Sequence, residues 1–189
     1  VSGLCGYYFD PIFFLIIFFD HWITVTPESS KYYCLHVLFN AWVVMSTGKD
    51  MLELFLHPTQ VEPRPVIVSV RVIIFHCYHW LFYTNIQRDE IIHHILMCCV
   101  ALPLSWITFT NIVTSAIFVM TGLPGGLIYV LLVIKRFNYI DNLTFKNLSQ
   151  HINIWFRAPL SVIIAYIIII NYYQQPLPLF IIALICALL

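Results

Sequence analysis

The sequence predicts an all-α protein, a polytopic membrane helix bundle with six or seven spans, and three observations lead to that fold class. Hydrophobic residues make up 61% of the 189 residues and charged residues only 10%, whereas a soluble domain carries roughly 25% charged residues. The mean hydropathy of +0.88 leaves too few polar side chains to cover a water-soluble globule. The apolar runs are continuous rather than alternating, which favours membrane helices over the strands of a barrel.

The first two predicted spans differ in quality. Residues 11–26 form a short one, whose apolar part IFFLIIFF ends at Asp20, so we expect it to be re-entrant or interfacial. Residues 32–47 form the second, which is expected to end at the polar sequence GKD. Residues 51–65, MLELFLHPTQVEPRP, are rich in proline and charge and are predicted to form an interfacial loop.

The remaining apolar runs predict five further spans, at residues 66–83, 91–106, 111–134, 154–170 and 177–189. GLPGG at residues 122–126 interrupts the third of these. Proline and glycine there predict a kinked or unwound turn that approaches a neighbouring helix or a cavity; close helix crossing through small residues is the alternative. The segment KRFNYIDNLTFKNLSQ, residues 135–150, is predicted to be a polar loop.

Charge and cysteine content narrow the function classes. Nine basic residues balance nine acidic ones, so no basic surface for nucleic acid is expected. Six cysteines occur without a CxxC pair and are interpreted as buried free thiols; no metal site and no cofactor is predicted. With seven spans, the lysines and arginines of the connections divide five against two between the two sides of the membrane. The side with five is predicted to face the cytoplasm or the mitochondrial matrix. These five are Lys31, Arg88, Lys135, Arg136 and Lys146, and the other two are Lys49 and Arg64.

The stretch QRDEIIHHILM carries the predicted catalytic residues, His93, His94 and Asp89. Asp89 precedes His93 by four residues, and Glu90 precedes His94 by four, so each carboxylate can reach one imidazole on its own helix face. A carboxylate that fixes one ring nitrogen raises the basicity of the other, which suits a general base or a nucleophile. Alternatively, the histidines lie at the headgroup level and the acids mark a helix N-terminus.

Polar residues in two other spans are predicted to bind lipid. His79 and Arg71 lie in the span before the His-His pair, and the short connection between these spans makes them antiparallel neighbours, so His79 and His93 should converge. Asn153 and Arg157 share a face at i,i+4, where the arginine could bind a phosphate or carboxylate headgroup; a snorkelling arginine is the alternative. His36 is interpreted as an interfacial or core polar group.

The stretches YHWLFYTNIQRDEIIHHILM and, more loosely, NIWFRAPL resemble the TLC family of membrane proteins, which contains ceramide synthases and translocation-associated membrane proteins. The resemblance covers residues 32–189, a TLC-like membrane domain after an N-terminal segment, residues 1–31. It implies an endoplasmic-reticulum protein with a lipid-holding cavity, and acyl transfer from acyl-CoA by His93 and His94 with Asp89. His79 stands where many members carry an acidic residue, so lipid binding, transport or sensing stay open beside acyl transfer.

Two other functions are compatible with the sequence. The small size and aromatic richness fit a non-enzymatic accessory subunit of a larger membrane complex, with the mitochondrial inner membrane as the alternative location. A histidine-metal membrane oxidase would use His76, His79, His93 and His94. The expected partners are membrane lipid, acyl-CoA if the protein is an enzyme, and other membrane subunits if it is not.

Overall fold

The structure is a computed structural model that describes residues 28–83 and 88–171, together with Leu15, Ile17, Phe18 and Asp20. At residues 28, 29, 88–90, 93 and 108 it describes the main chain alone. Within these ranges the chain is helical apart from short connections, and it forms no strand beyond an isolated bridge between Pro63 and Thr110. The all-α prediction is therefore confirmed for the described residues.

The described part of the chain folds into five helices joined by short connections: α1 (Glu28–Leu56), α2 (Ile67–Phe82), α3 (residues 88–105), α4 (Asn111–Arg136) and α5 (Asn142–Ile170). Because the connections are short, successive helices run in opposite directions. The end of the bundle that contains residues 57–66 is termed the proline end. The opposite end, which contains residues 137–141, is termed the basic end.

Helix α1 is the centre of the bundle and packs mainly against α4. Its side chains Phe39, Trp42 and Val43 are at most 2% exposed and join Val72 and Phe75 of α2 in one core cluster. Full burial of such a side chain contributes about 1.5–3 kcal/mol. A second cluster links the proline end of α1 to α4 and α5, so the core runs along most of α1.

Three prolines explain three distortions in the helices. Wide π-helical turns lie at Leu96–Ala101 in α3, Phe118–Gly122 in α4 and Asn153–Arg157 in α5. Each is followed within two residues by a proline, Pro103, Pro124 or Pro159. Because proline has no N–H and clashes with the carbonyl four residues earlier, the preceding turn widens instead of breaking.

The GLPGG interruption behaves partly as predicted. Helix α4 widens at Phe118–Gly122 and continues, so an unwound span is not observed. A Cβ atom placed on Gly126 would lie 3.2 Å from Cβ of Asn40, which confirms the close approach to a neighbouring helix.

Two predicted loops are partly helical. Helix α1 continues to Leu56, so the loop prediction for residues 51–65 was wrong for its first six residues. Helix α5 begins at Asn142, within the predicted loop 135–150, because Asp141 caps it by accepting a hydrogen bond from the Thr144 N–H at 2.7 Å. The predicted span 177–189, and most of the span 11–26, lie outside the described residues.

Two helices of the described part, α4 and α5, are long and apolar enough to cross a membrane, so the coarse expectation of membrane helices is supported but six or seven spans are not. A soluble protein's core helix would be mostly buried. Only 39% of the most apolar window of α4 and 17% of that of α5 are buried. These two helices therefore present apolar surface that the rest of the described chain does not cover.

Candidate functional site

Four buried histidines from three helices meet near the basic end of the bundle. They are His36 of α1, His76 and His79 of α2, and His94 of α3, and they are between 0% and 6% exposed. The histidines of α2 and α3 lie at a similar depth because α2 ends and α3 begins at this end of the bundle. The i,i+3 spacing places His76 and His79 side by side on α2.

The shortest contact in this group joins His79 and His94. Their Nε2 atoms are 3.0 Å apart, which is a hydrogen-bonding distance. Such a bond needs a proton on one nitrogen and a lone pair on the other, so the two rings differ in protonation at Nε2. The other rings lie close by, with 4.8 Å between the ring centroids of His36 and His79 and 4.9 Å between those of His76 and His94.

Main-chain carbonyls fix the tautomers of the other two histidines. Nδ1 of His36 donates to the Tyr32 carbonyl at 2.8 Å, and Nδ1 of His76 donates to the Val72 carbonyl at 2.6 Å. A carbonyl can only accept, so a neutral ring in this position carries its lone pair on Nε2. Nε2 of His36 is buried and has no hydrogen-bond partner among the described residues, which leaves it available to a ligand.

A cavity of about 450 Å³ opens beside these histidines. Its polar lining comes from His36, Asn40, His76, His94, Thr121, Tyr129 and Arg157, and its apolar lining from Phe39, Phe75, Met120, Ile128 and Leu132. Gly125 also lines it, so the GLPGG sequence borders the cavity as well as a neighbouring helix. No carboxylate is among the described residues that line this space.

Arg157 gives the cavity its formal positive charge. It ends the π-helical turn of α5 and lies on the cavity wall with Tyr129, whose ring stacks on His36 with 4.2 Å between the ring centroids. Nε of Arg157 is buried without a hydrogen-bond partner in the described part of the chain. A buried guanidinium nitrogen without a hydrogen-bond acceptor is costly, which favours an acceptor such as an anionic ligand at this position.

The structure brings only some of the predicted site residues together. His94 faces inward beside His79, whereas the histidine that was predicted to converge with His79 is His93. The side chains of His93 and Asp89 lie outside what the structure describes. Arg157 lines the cavity, whereas Asn153 does not.

Arg71 is the predicted lipid-binding residue that the structure places elsewhere. It is 8% exposed, and its guanidinium carbon lies 5.6 Å from the ring centroid of Trp42. It lines a different cavity of about 980 Å³ at the proline end. Its eight-residue separation from His79 corresponds to about 12 Å along the helix axis, so the two residues share a helix face but not a site.

Sequence reasoning missed His36 and Tyr129 as cavity residues, and Asp20 as a buried acceptor for two tyrosine hydroxyls. The i,i+4 spacing of His36 and Asn40 in an apolar helix was a usable signal for the first. Asp20 is 5% exposed and accepts hydrogen bonds from the hydroxyls of Tyr78 at 2.6 Å and Tyr83 at 2.7 Å. No sequence spacing indicated these two contacts, because Asp20 is 58 residues away from Tyr78 and 63 residues away from Tyr83.

Among the described side chains, no group of three or more His, Cys, Asp or Glu residues is arranged to hold a metal ion. In this part of the chain Cys34, Cys77, Cys98 and Cys99 are free thiols. The polar contacts of the described histidines are hydrogen bonds, two to main-chain carbonyls and one between His79 and His94.

Comparison of the chain with protein-family models, with curated protein sequences and with solved structures found no match. The geometry of the cavity is accordingly the basis on which a function is proposed.

Proposed function

We propose that this chain is an integral membrane protein that holds the head of an anionic lipid in the histidine-lined cavity. The observation that carries the proposal is the cavity itself, with three imidazoles and one guanidinium group on its wall and no carboxylate among its described lining. The lipid's acyl chain would leave the cavity along its apolar side, past Ile128 and Leu132 of α4.

The chemistry of the wall favours a carboxylate or phosphate headgroup. A guanidinium group offers paired donors that match both anions, and Arg157 has Nε free of protein partners in the described structure. His36 presents a lone pair beside it and can accept from a lipid hydroxyl or a protonated acid. The cavity of about 450 Å³ is within the usual range for small-ligand sites.

The outer surface of α5 supports a lipid environment. Trp155 is 70% exposed, Val162 68% and Ile169 61%, and these side chains lie in or beside an apolar helix that could span a membrane. Surface of this kind is covered by lipid or by other membrane subunits in a functional protein. It supports a membrane location without selecting an organelle; the endoplasmic reticulum follows from the TLC resemblance, and the mitochondrial inner membrane is the alternative.

The finer expectations from the sequence remain proposals. As a TLC-like protein of six or seven spans, the chain would use His94 with His93 and Asp89 to transfer an acyl group from acyl-CoA. The hydrogen bond between His79 and His94 is compatible with a positioned base. An accessory subunit would instead copurify with a larger complex in fixed stoichiometry, and its function would not depend on these histidines.

The first prediction is that Arg157→Gln lowers lipid occupancy roughly tenfold or more, because hydrogen bonds to a charged group contribute about 1.5–3 kcal/mol. Native mass spectrometry of the detergent-purified chain, incubated with palmitate or with phosphatidic acid, measures occupancy and distinguishes a carboxylate from a phosphate head. Arg136→Gln is the matched control, since Arg136 is an exposed arginine at the basic end. Equal occupancy in the Arg157 and Arg136 variants would sink the proposal.

A further inference from the structure

Two nitrogens in the residues that line the histidine cavity have opposite hydrogen-bonding character. Nε of Arg157 and Nε2 of His36 are both buried, and neither has a hydrogen-bond partner among the described residues. The arginine nitrogen can only donate. Nε2 of a neutral His36 can only accept, because Nδ1 carries the ring's proton and donates it to the Tyr32 carbonyl at 2.8 Å. The cavity therefore has one donor and one acceptor that a ligand can satisfy.

A simple anion satisfies only the donor. An acid bound to Arg157 is held in its ionised form by the positive charge of the guanidinium group. Its oxygens accept from Arg157, but it has no proton to donate to His36. A buried acceptor without a donor is costly. A ligand that satisfies both nitrogens must therefore carry an O–H or N–H group close to its acidic group.

The charge of the cavity favours a hydroxyl over an ammonium group as this donor. Arg157 is the arginine of the lining, and no carboxylate is among the described residues that line the cavity. An ammonium group placed near Arg157 would be repelled by it and would find no carboxylate there. A hydroxyl group is uncharged and donates one proton, which matches the single lone pair on Nε2 of His36.

The size of the cavity allows one headgroup to contact both residues. Arg157 and His36 border the same space of about 450 Å³, which is near the small end of the usual range for ligand sites. Tyr129 borders it as well, and its ring stacks on His36 with an interplanar angle of 24°, which orients the imidazole. An acid at Arg157 and a hydroxyl at His36 can thus belong to a single lipid head.

We infer that the lipid held in this cavity carries a hydroxyl group next to its acidic group, as in an alpha-hydroxy fatty acid or a lysophosphatidate, and that His36 selects it. This inference rests on the proposed function, because it needs the acid to bind at Arg157. Arg157 contacts the acid of any anionic lipid, whereas His36 accepts only from the hydroxyl. His36 is therefore a specificity-determining residue, and its removal should change the choice between lipids and not the binding of all of them.

The test is native mass spectrometry of the detergent-purified full chain with two pairs of lipids that differ only in the hydroxyl. Alpha-hydroxypalmitate is compared with palmitate, and palmitoyl lysophosphatidate with its deoxy analogue, which lacks the glycerol hydroxyl. Wild-type protein should prefer the hydroxylated member of at least one pair by roughly threefold to tenfold, the size of one neutral hydrogen bond. The pair that shows the preference identifies the acid as a carboxylate or a phosphate.

His36→Phe keeps an aromatic ring against Tyr129 but has no acceptor. It should abolish the preference and leave the occupancy of the lipid without the hydroxyl unchanged. His151→Phe is the matched control, because it makes the same substitution at an exposed histidine of α5, and it should keep the wild-type preference. If His36→Phe does not assemble with wild-type helicity, His36→Leu removes the same acceptor.

Two results would overturn this inference and leave the proposed function standing. One is equal occupancy by both members of each pair in the wild-type protein, with occupancy still lowered by Arg157→Gln. The other is an assembled His36 variant that keeps the wild-type preference. Failure of all four lipids to bind the wild-type protein would instead overturn the proposed function, and this inference with it.

Discussion

At the scale of single residues, Arg64 organises the proline end. Its Nε donates to Asp50 at 2.9 Å, and its other nitrogens donate to Glu62 at 2.7 Å and Glu53 at 3.3 Å. Burial by itself lowers the pKa of Arg64, but the hydrogen bonds that it donates to Glu62 and Asp50 outweigh burial and raise the pKa above its usual value. Stability from a raised pKa is lost only as pH rises through that pKa, so deprotonation of Arg64 does not remove this stability at neutral pH.

Arg64→Gln is expected to lower the free energy of unfolding by about 1–3 kcal/mol, because it leaves the carboxylate of Asp50, 12% exposed in its side chain, without its cationic partner. Unfolding by sodium dodecyl sulfate in mixed micelles measures the change. Lys49→Gln is the control, since Lys49 pairs with Glu53 at 3.3 Å but its side chain is 83% exposed, and it should cost less than about 0.5 kcal/mol. Similar losses in both variants would contradict this account.

The residues of the histidine cavity show what sequence spacing can and cannot predict. His79 and His93 were predicted to converge because a short connection forces α2 and α3 to be neighbours. The structure brings His79 to His94, the other member of the pair. Tyr129 was not predicted, because its contact with His36 joins α1 to α4, which are far apart in the chain. Arg71 and His79 were predicted together from a shared helix face, but Arg71 lines the proline-end cavity and His79 lines neither cavity.

At the scale of elements, helix ends were predicted where proline or glycine sets them and missed where capping and packing do. The expected span 66–83 matches α2, Ile67–Phe82, because Pro65 precedes it. Helix α1 instead runs through GKD to Leu56, because Asp50 has partners in Arg64 and Thr114. A polar residue marks the end of an apolar run, and a span is therefore predicted to end there. The helix itself can continue through that residue when its polar groups are satisfied.

Glycine at position 126 sets the distance between α1 and α4. Gly126→Val is expected to destabilise the bundle by about 1–3 kcal/mol, since the new side chain meets Cβ of Asn40 at 3.2 Å or less and overpacking must push two helices apart. In Gly48→Ala the added Cβ would lie 3.6 Å from the Phe118 ring, an ordinary contact. This control should gain about 0.5–1 kcal/mol from helix propensity. Thermal unfolding in detergent compares them; a tolerated Gly126→Val would contradict the close crossing.

The start of α5 should depend on pH through Asp141. Hydrogen bonds from the hydroxyl and the N–H of Thr144 lower the pKa of this exposed carboxyl group. A lowered pKa gives stability that is present above the unfolded value, near 3.9, and is lost as pH falls through the folded one. Protection of amides 142–146 from hydrogen exchange should therefore hold from pH 7 to about pH 5 and fall as the pH is lowered through about 4 and below. Asp141→Asn keeps the capping oxygen without the charge and should remove that pH dependence; an unchanged dependence would refute the cap.

At the scale of the whole molecule, two helices define the path of the chain relative to a membrane. If α4 and α5 each cross it, the proline end and the basic end lie on opposite sides. Single cysteines placed at Gln60 and at Tyr139, which is 81% exposed, in a cysteine-free chain should then react with an impermeant maleimide from opposite sides of sealed vesicles. Labelling of both from the same side would rule out a crossing by α4.

Composition predicted a helical protein with an apolar outer surface, but it did not determine how many of the helices span a membrane. Spans were counted from apolar runs, but one face of α1 packs into the bundle and carries His36, Asn40 and Asp50 as buried groups. Apolar length alone does not tell a helix that faces lipid from one that faces other helices. The lipid-facing candidates are recognised only once the exposed sides of α4 and α5 are known.

The amide of Asn171 at the end of α5 donates to the carbonyl of Pro58 at 2.7 Å, across 113 residues. The salt bridge between Arg64 and Asp50 spans only 14 residues and can form as soon as α2 leaves the ribosome. At a synthesis rate of roughly 5–20 residues per second, Asn171 is made roughly 6 to 23 seconds after Pro58, the residue of the 57–66 connection that it bonds. During that interval the polar groups of residues 57–66 need water or a chaperone, so slowing translation before α5 should lengthen the time for which this connection is open to proteases.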